Sequence, residues 1–452
     1  MLAWRKLTTK VPATLAGVVW MIVAALLGPA MAEGPELRGA GSTLAAPLYE
    51  KWISAFQQAH PSVIVHYEAI GSGEGVARFI AGAVDFGASD VPQSLAQAAK
   101  IERGAIQIPI TAGMVVLAYN LPGVTGELKL PQEVYVDIFM GRIRTWDDPR
   151  IRAANPGLSL PPRNIAVIGR QDSSGTTFAF TSHLAAVSKR WSDEGPGIGK
   201  LVAWPQGAMI ARGNEGVASR IKISEGAIGY VEFGFARRLG LPVALLENKE
   251  GRFVAPSPEA GAAAISASAG LDLDGLAASI ANPPGAEAYP IVTYSWLLLY
   301  RRYPAEQARA LTSFVLFALN KGQNDALDLG YIALPQSVVE LGKTTLAQIN
   351  SPAGAAAPAS LAPDNANIVP NKAPPSPTLA APVKPTAPPT RLDTYTVVAG
   401  DTFRSVAAKL YHDKHRWRDI AAANPDIDRR RRLRAGEVLK LPEPASESGH
   451  AR

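Results

Sequence analysis

Residues 164–177, Asn-Ile-Ala-Val-Ile-Gly-Arg-Gln-Asp-Ser-Ser-Gly-Thr-Thr, carry the reading on which the fold turns. An aliphatic run from Ile165 to Ile168 has strand character, a loop of glycine and hydroxyl side chains follows, and a helix-length stretch runs from Ser174 into Leu184. Strand, loop and helix in that order are the repeating unit of an α/β domain. Glycine lets the backbone approach a ligand closely, the first amides of a helix have no partner within it, and hydroxyls add donors; together these suit an oxyanion. Arg170, just after the strand, can set a guanidinium fork against such an anion while Asp172 orients it.

Two more loops share this character. Gly39-Ala40-Gly41-Ser42-Thr43-Leu44 precedes a helical face of Leu48, Trp52 and Phe56, and Gly71-Ser72-Gly73-Glu74-Gly75 precedes one of Val76, Phe79 and Ile80. Either loop alone describes no more than a capped helix start. Their recurrence, together with Arg170, is what points to an anion site. From Glu33 to about Asn350, strand candidates (Val63–Tyr67, Gly113–Tyr119, Ile228–Val231, Trp296–Tyr300) alternate with helices such as Pro304–Asn320, which predicts a pair of α/β domains.

The chain has 452 residues, 47% of them hydrophobic and 19% charged, enough for more than one folded core. It contains no cysteine, which removes disulfides, thiolate metal sites, cysteine nucleophiles and a lipid-bearing cysteine. The net charge of +6 is carried by the two ends: residues 1–32 hold Arg5, Lys6 and Lys10 without an acid, and residues 391–452 hold 13 basic and 9 acidic side chains. Subtracting +3 and +4 leaves −1 for the body between them, so it lacks the field a nucleic-acid partner requires. Residues 1–32 have the layout of a cleaved secretory signal: basic residues to Lys10, an apolar run Leu15–Leu27, then Ala30-Met31-Ala32. No Gly-x-Ser-x-Gly elbow, His-Glu-x-x-His pair, P-loop lysine or metal-holding His/Asp cluster occurs, so no catalytic residue, metal or cofactor is expected.

From Ser351 to Thr390 the composition changes to 11 prolines and 11 alanines in 40 residues, which cannot bury a core. Such a tether spans from about 40 Å as a coil to about 120 Å as extended polyproline. Beyond it, a strand at Tyr395–Val398, helices at Ser405–Leu410 and Trp417–Ala423, and a strand at Val438–Leu441 predict a small β-α-α-β module. His412 and His415 and the basic run Arg429–Arg432 with Arg434 read as surface features of that module.

Between about Leu37 and Val339 the sequence resembles the PstS-type phosphate-binding proteins of bacterial phosphate ABC importers. The motifs are Gly-Ala-Gly-Ser-Thr at 39–43, Val-Asp-Phe-Gly-Ala-Ser-Asp at 84–90, Asn-Ile-Ala-Val at 164–167, Asp-Ser-Ser-Gly-Thr at 172–176, Gly-Ala-Ile-Gly-Tyr-Val-Glu at 226–232 and Leu-Pro-Gln-Ser-Val-Val at 334–339. The resemblance implies an α/β, two-lobe periplasmic binding protein fold of type II with an interlobe cleft: a domain over 33–350, with lobe one 33–112 and 292–350 and lobe two 113–291. It also implies phosphate contacts from Thr43, Leu44, Ser72, Asp85, Arg170, Ser174, Gly175 and Thr176. Asp172 would orient Arg170, the sole cation of the set, and Asp85 would accept a proton that phosphate carries and sulfate lacks. Gly169, where relatives often have a further arginine, and Glu74 depart from the family pattern.

Residues 393–443, after a 351–392 linker, resemble a LysM domain through Tyr395-Thr-Val-Val-Ala-Gly-Asp-Thr-Phe403, Ala423-Asn424-Pro425 and Leu441-Pro442. This implies a glycan groove lined by Gly400, Asp401, Thr402 and Phe403 on one side and Asn424, Pro425, Asp426 and Ile427 on the other. The expectation is a monomeric, non-enzymatic periplasmic protein that takes up inorganic phosphate, hands it to inner-membrane ABC transporter permease subunits and is tethered to peptidoglycan through LysM. A secreted phosphatase, or an envelope structural or adhesion protein with a vestigial cleft, are the competing classes.

Overall fold

The chain divides into two units at Asn371/Lys372. The computed structural model describes residues 34–93, 95–98, 100–268 and 280–350 of the first, and 394–396, 402–403, 406–407, 417–424, 427 and 438–441 of the second. The expected signal and linker lie outside the described residues. No helix among the described residues is long and apolar enough to cross a membrane.

The strands of the larger unit are β1 (Glu36–Gly41), β2 (Ile64–Ala69), β3 (Phe86–Ser89), β4 (Ala105–Tyr119), β5 (Lys129–Leu130), β6 (Ala166–Arg170), β7 (Met209–Ala211), β8 (Ala227–Glu232), β9 (Leu245–Glu247), β10 (Phe253–Val254) and β11 (Val292–Tyr300). Eight of them form one sheet in the order β2-β1-β3-β11-β4-β8-β6-β7, and β10, β9 and β5 form a small second sheet. β1 runs parallel to β2 and β3, and β6 parallel to β7 and β8, as helical crossovers require. Between these two parallel groups lie β11 and β4. The first part of β4, to Met114, pairs antiparallel with β11, and from Val115 onward it pairs antiparallel with β8. A single strand therefore belongs to both halves of the sheet.

β4 and β11 are longer than the sequence suggests, starting at Ala105 rather than Gly113 and at Val292 rather than Trp296. Every residue of β11 is buried, so it shows no polar alternation, and β4 carries Pro109 opposite Trp296, beside a register irregularity at Ser295/Trp296. Helices cover the sheet. Ala46–Ala59 buries Leu48, Tyr49, Trp52 and Phe56; Phe56 meets Phe314 of helix Ala305–Leu319 edge to face, and Trp52 donates to the Gly322 carbonyl at 2.8 Å.

In the smaller unit, β12 (Thr394–Thr396) pairs antiparallel with β13 (Val438–Lys440), and helix Trp417–Ala423 lies between them in sequence. Phe403, Val406, Ala407, Ile420, Ala421 and Leu439 make its core. Two of the residues expected at the glycan groove have buried side chains. Phe403 is a core side chain, and Asn424 is buried with Nδ2 donating to the Ile420 and Lys440 carbonyls (2.7 and 2.8 Å) and Oδ1 accepting from Lys440 N–H (2.8 Å). Thr402 is exposed and Ile427 half-buried; Gly400, Asp401, Pro425 and Asp426 lie outside the described residues, as do His412, His415 and the arginine run. Asn424→Ala would strand one amide and two carbonyls, costing the module about 2 to 4 kcal/mol. Calorimetry of the full chain should show that module's transition moving to lower temperature while that of the larger unit stays in place.

Candidate anion site

In an open α/β sheet, ligands gather at the carboxyl ends of the parallel strands. The residues that follow β1 (Ser42, Thr43), that end or follow β3 (Ser89, Asp90) and that end β6 (Arg170) lie at such ends. Three helices begin beside them, Ser72–Ile80, Gly175–Val187 and Gly213–Ile223, each presenting the positive end of its dipole.

Arg170 is almost wholly buried, its side chain 1% exposed. Asp172 holds it in a fork: Nε donates to Oδ1 at 2.9 Å and Nη2 to Oδ2 at 2.5 Å, while Gly213 N–H also donates to Oδ1 at 3.0 Å. Burial pushes the Asp172 carboxyl up, but the bonds and charge of Arg170 and the Gly213 amide outweigh it, and its pKa falls below the ordinary value. Nη2 also reaches Thr43 Oγ1 at 3.2 Å, whereas Nη1 is buried with no partner among the described residues. A charged donor is thus left for something else to satisfy.

The start of helix Gly175–Val187 adds neutral donors. Ser174 caps it, its Oγ accepting from Thr177 N–H at 3.1 Å, and Phe178 N–H opens the intrahelical pattern onto the Ser174 carbonyl. The amides of Gly175 and Thr176 precede that pattern and have no partner within the helix. Opposite them stands Asp90, whose Oδ1 accepts from Ser42 Oγ (2.5 Å) and Ser295 Oγ (2.8 Å) and whose Oδ2 accepts from Ser72 Oγ (3.3 Å). Burial pushes the Asp90 carboxyl up; the hydroxyls of Ser42 and Ser295, the charge of Arg170 and the Ser72 hydroxyl oppose this without cancelling it. Lys200, whose carbonyl accepts from Ser174 N–H at 2.8 Å, has its ammonium pushed down by burial and supported by Asp90.

The two halves touch here. A Cβ added to Gly175 would lie 2.5 Å from Asp90 Cβ and 2.8 Å from Ser72 Oγ, so only glycine permits this approach. Gly73 N–H donates to the Ser173 carbonyl at 3.0 Å beside it.

Thr43, Ser72, Arg170, Asp172, Ser174, Gly175 and Thr176 therefore come together. Asp85 does not. It precedes β3, at the opposite end from Asp90, where its carboxylate accepts from Arg38 N–H and Gln307 Nε2 (2.7 Å each). Of the two aspartates that flank β3, Asp90 is the one that feels the charge of Arg170. Leu44 is corrected in part: its side chain is core and its amide is taken by Ser42 Oγ at 3.0 Å. Glu74 is exposed and paired with Arg78. Gly169 cannot be an arginine, because a Cβ there would meet Trp204 Nε1 at 2.3 Å. The sequence reading also missed Ser42, Ser295, Tyr230, whose hydroxyl accepts from Arg170 N–H at 3.1 Å, and Asn214, which bonds to both Thr43 and Thr176. Asp90 was open to discovery from the strand-end rule; Asn214 carried no local signal.

Two lobes sharing crossed strands, with polar strand ends meeting between them, define a two-lobed solute-binding protein. The PBP superfamily domain matches residues 28–320, and the LysM domain matches residues 395–442. Phosphate-binding protein PstS of Pasteurella multocida is 38% identical over 310 residues, covering 68% of this chain and 89% of that protein; PstS of Haemophilus influenzae is 38% identical over 318 residues, covering 69% and 93%. PstS of the archaeon Methanocaldococcus jannaschii is 37% identical over 336 residues, 68% of this chain and 84% of that one. The chain belongs to the PstS family of phosphate-binding proteins, with a LysM domain at its C terminus. Among solved structures, a high-affinity periplasmic phosphate-binding protein aligns with TM-score 0.57 at 22% identity over 69% of this chain and 93% of its own. A phosphate-binding protein from Stenotrophomonas maltophilia aligns with TM-score 0.53 at 18% identity over 69% and 94%. These two show the same fold.

Glu232, which ends β8, lies behind the site. It is fully buried, Oε1 accepts from Gly234 N–H at 2.9 Å, and Oε2 has no partner. Burial pushes its carboxyl up to about 8, with the Gly234 and Phe235 amides and Arg238 opposing and Asp90 adding to the shift. A folded pKa above the unfolded one favours the fold fully only below the unfolded value of 4.5, and the contribution is lost as pH rises toward 8. Glu232→Gln should therefore gain stability over wild type on the order of 3 kcal/mol on going from pH 5 to pH 8. Urea melts at the two pH values check this, and a gap that does not widen with pH would show that the carboxyl is ionised in the fold.

Proposed function

We propose that the cleft between lobe one (33–112 and 292–350) and lobe two (113–291) captures inorganic phosphate in the periplasm and delivers it to an ABC transporter permease in the inner membrane. The observation that carries this reading is the pairing of opposites in one dry site: Arg170 Nη1, buried and unpartnered, on one side and the Asp90 carboxylate on the other. An anion answers the guanidinium, but only an anion that still bears a proton can lie against a carboxylate acceptor. HPO₄²⁻ and H₂PO₄⁻ meet both conditions; sulfate meets only the first. In this reading Thr43, Ser72, Ser174 and Thr176 contribute hydroxyl or main-chain donors, Gly175 and Thr176 contribute helix-start amides, and Arg170 supplies the one charge-assisted contact. Family membership with the PstS proteins supports the same ligand. Binding involves no covalent change in the ligand. The Pro/Ala-rich 351–392 stretch and the LysM domain would hold the protein on peptidoglycan while leaving the binding domain free to meet its permease.

Isothermal titration with phosphate and sulfate tests the site. Arg170→Ala should weaken phosphate binding by about 2 to 5 kcal/mol. Asp90→Asn should lose most of the discrimination against sulfate, and Asp85→Asn should leave affinity and selectivity as in wild type. Selectivity that follows Asp85 and ignores Asp90 would refute the assignment. For the tether, the full chain should sediment with purified peptidoglycan and a chain ending at 350 should stay in the supernatant; equal sedimentation of both would remove the LysM role.

A further inference from the structure

Resting on the phosphate reading above, we propose that Asn214 is the positioning residue that closes the cleft: its amide bonds one hydroxyl from each lobe and helps make that of Thr43 an obligatory donor toward the ligand. Asn214 is fully buried, as the second residue of helix Gly213–Ile223. Its Oδ1 accepts the main-chain N–H of Glu232 at 3.0 Å. This fixes which end of the amide is which, because the flipped rotamer would set an NH₂ against an N–H. Nδ2 must then face the cleft, where it donates to Thr43 Oγ1 at 3.0 Å and to Thr176 Oγ1 at 3.2 Å.

A threonine hydroxyl has one hydrogen and two lone pairs. Around Thr43 Oγ1 stand three protein donors, Asn214 Nδ2, Asn214 N–H at 3.3 Å and Arg170 Nη2 at 3.2 Å. Its acceptor capacity is consumed, and its hydrogen has no acceptor among these neighbours. Thr176 Oγ1 receives one amide hydrogen from Asn214 and keeps its own hydrogen to give, with a lone pair still open. A hydroxyl left to rotate could serve a donor or an acceptor ligand equally; one saturated with donors serves only a ligand that accepts, as a phosphate oxygen does. The same amide joins Thr43, which follows β1, to Thr176 and to the end of β8, the strand paired with β4 where the chain crosses between the halves. These bonds span the two halves, so they oppose opening rather than entry.

The test uses the full chain with inorganic phosphate as probe, comparing wild type with Asn214→Ala and with Asn214→Asp. The aspartate variant keeps the side chain's size and the acceptor for Glu232 N–H but trades both amide hydrogens for a charge that repels an anion, so a faster off-rate counts only where Asn214→Ala shows it too. Asn214→Leu, uncharged and of similar size, takes the place of the alanine variant should that not fold. Stopped-flow kinetics should show the phosphate off-rate rising about tenfold to a hundredfold with the on-rate within about threefold of wild type. Small-angle scattering should show phosphate-induced compaction diminished. A residue that merely supported helix Gly213–Ile223 would leave the aspartate variant with wild-type off-rate and compaction, and that result overturns the inference, as does a loss of affinity carried wholly by the on-rate. Wild type that binds no phosphate would instead sink the phosphate reading on which the inference rests.

Discussion

A guanidinium taken out of water must be answered by a carboxylate, and how completely it is answered decides what else the site can do. Asp172 takes two of Arg170's three nitrogens, with Thr43 sharing one of them, and nothing among the described residues takes the third. Full neutralisation would leave a structural ion pair; no neutralisation would leave a charge too costly to bury. The intermediate arrangement preserves the fold and keeps one charged donor in reserve. It also explains why Asp172 must itself be tied down, by the Gly213 amide, because a carboxylate free to rotate could follow the arginine and capture Nη1 as well.

The crossed strands impose the second constraint. β4 pairs with β11 in one half and β8 in the other, so movement of the halves has to be taken up where the pairing changes hands, at Met114/Val115. Beside that point a Cβ at Gly113 would meet Leu44 and Glu232, and Glu232 is bound through its amide to Asn214. The crossover and the proposed ligand donors are thus joined through Glu232 and its main-chain bond to Asn214. The unpartnered Glu232 oxygen sits at that junction, where a neutral carboxyl is tolerated and a carboxylate would not be.

Much of this was legible in residue order. The Gly/Ser/Thr loops and Arg170 identify an anion cradle because backbone amides at helix starts and a lone arginine are local facts of sequence. The acidic partner was misassigned because residues 84–90 contain two aspartates on either side of a short strand, and local pattern does not favour one over the other. Strand direction does: Asp85 enters β3 and Asp90 leaves it, and the cleft lies where the parallel strands end. Asn214 could not be read at all, since its partners are Thr43, Thr176 and Glu232, brought together by three separate elements. The burial of Phe403 and Asn424 was not legible in the motif, because a turn in so small a module must also furnish its core and its pins.

The near-zero charge of the binding domain then acquires a meaning. If affinity came from a field of lysines and arginines, any dianion would be held in proportion to its charge, and sulfate would compete well. Here one guanidinium is balanced by Asp172 and faced by Asp90, so the net charge offered to a ligand is small. What remains is a set of directed dipoles: amides at Gly175 and Thr176, hydroxyls at Thr43 and Thr176, and one acceptor at Asp90. In the proposed reading such a set would measure how many hydrogens the ligand carries and where they point, which is a property of its protonation state rather than of its charge.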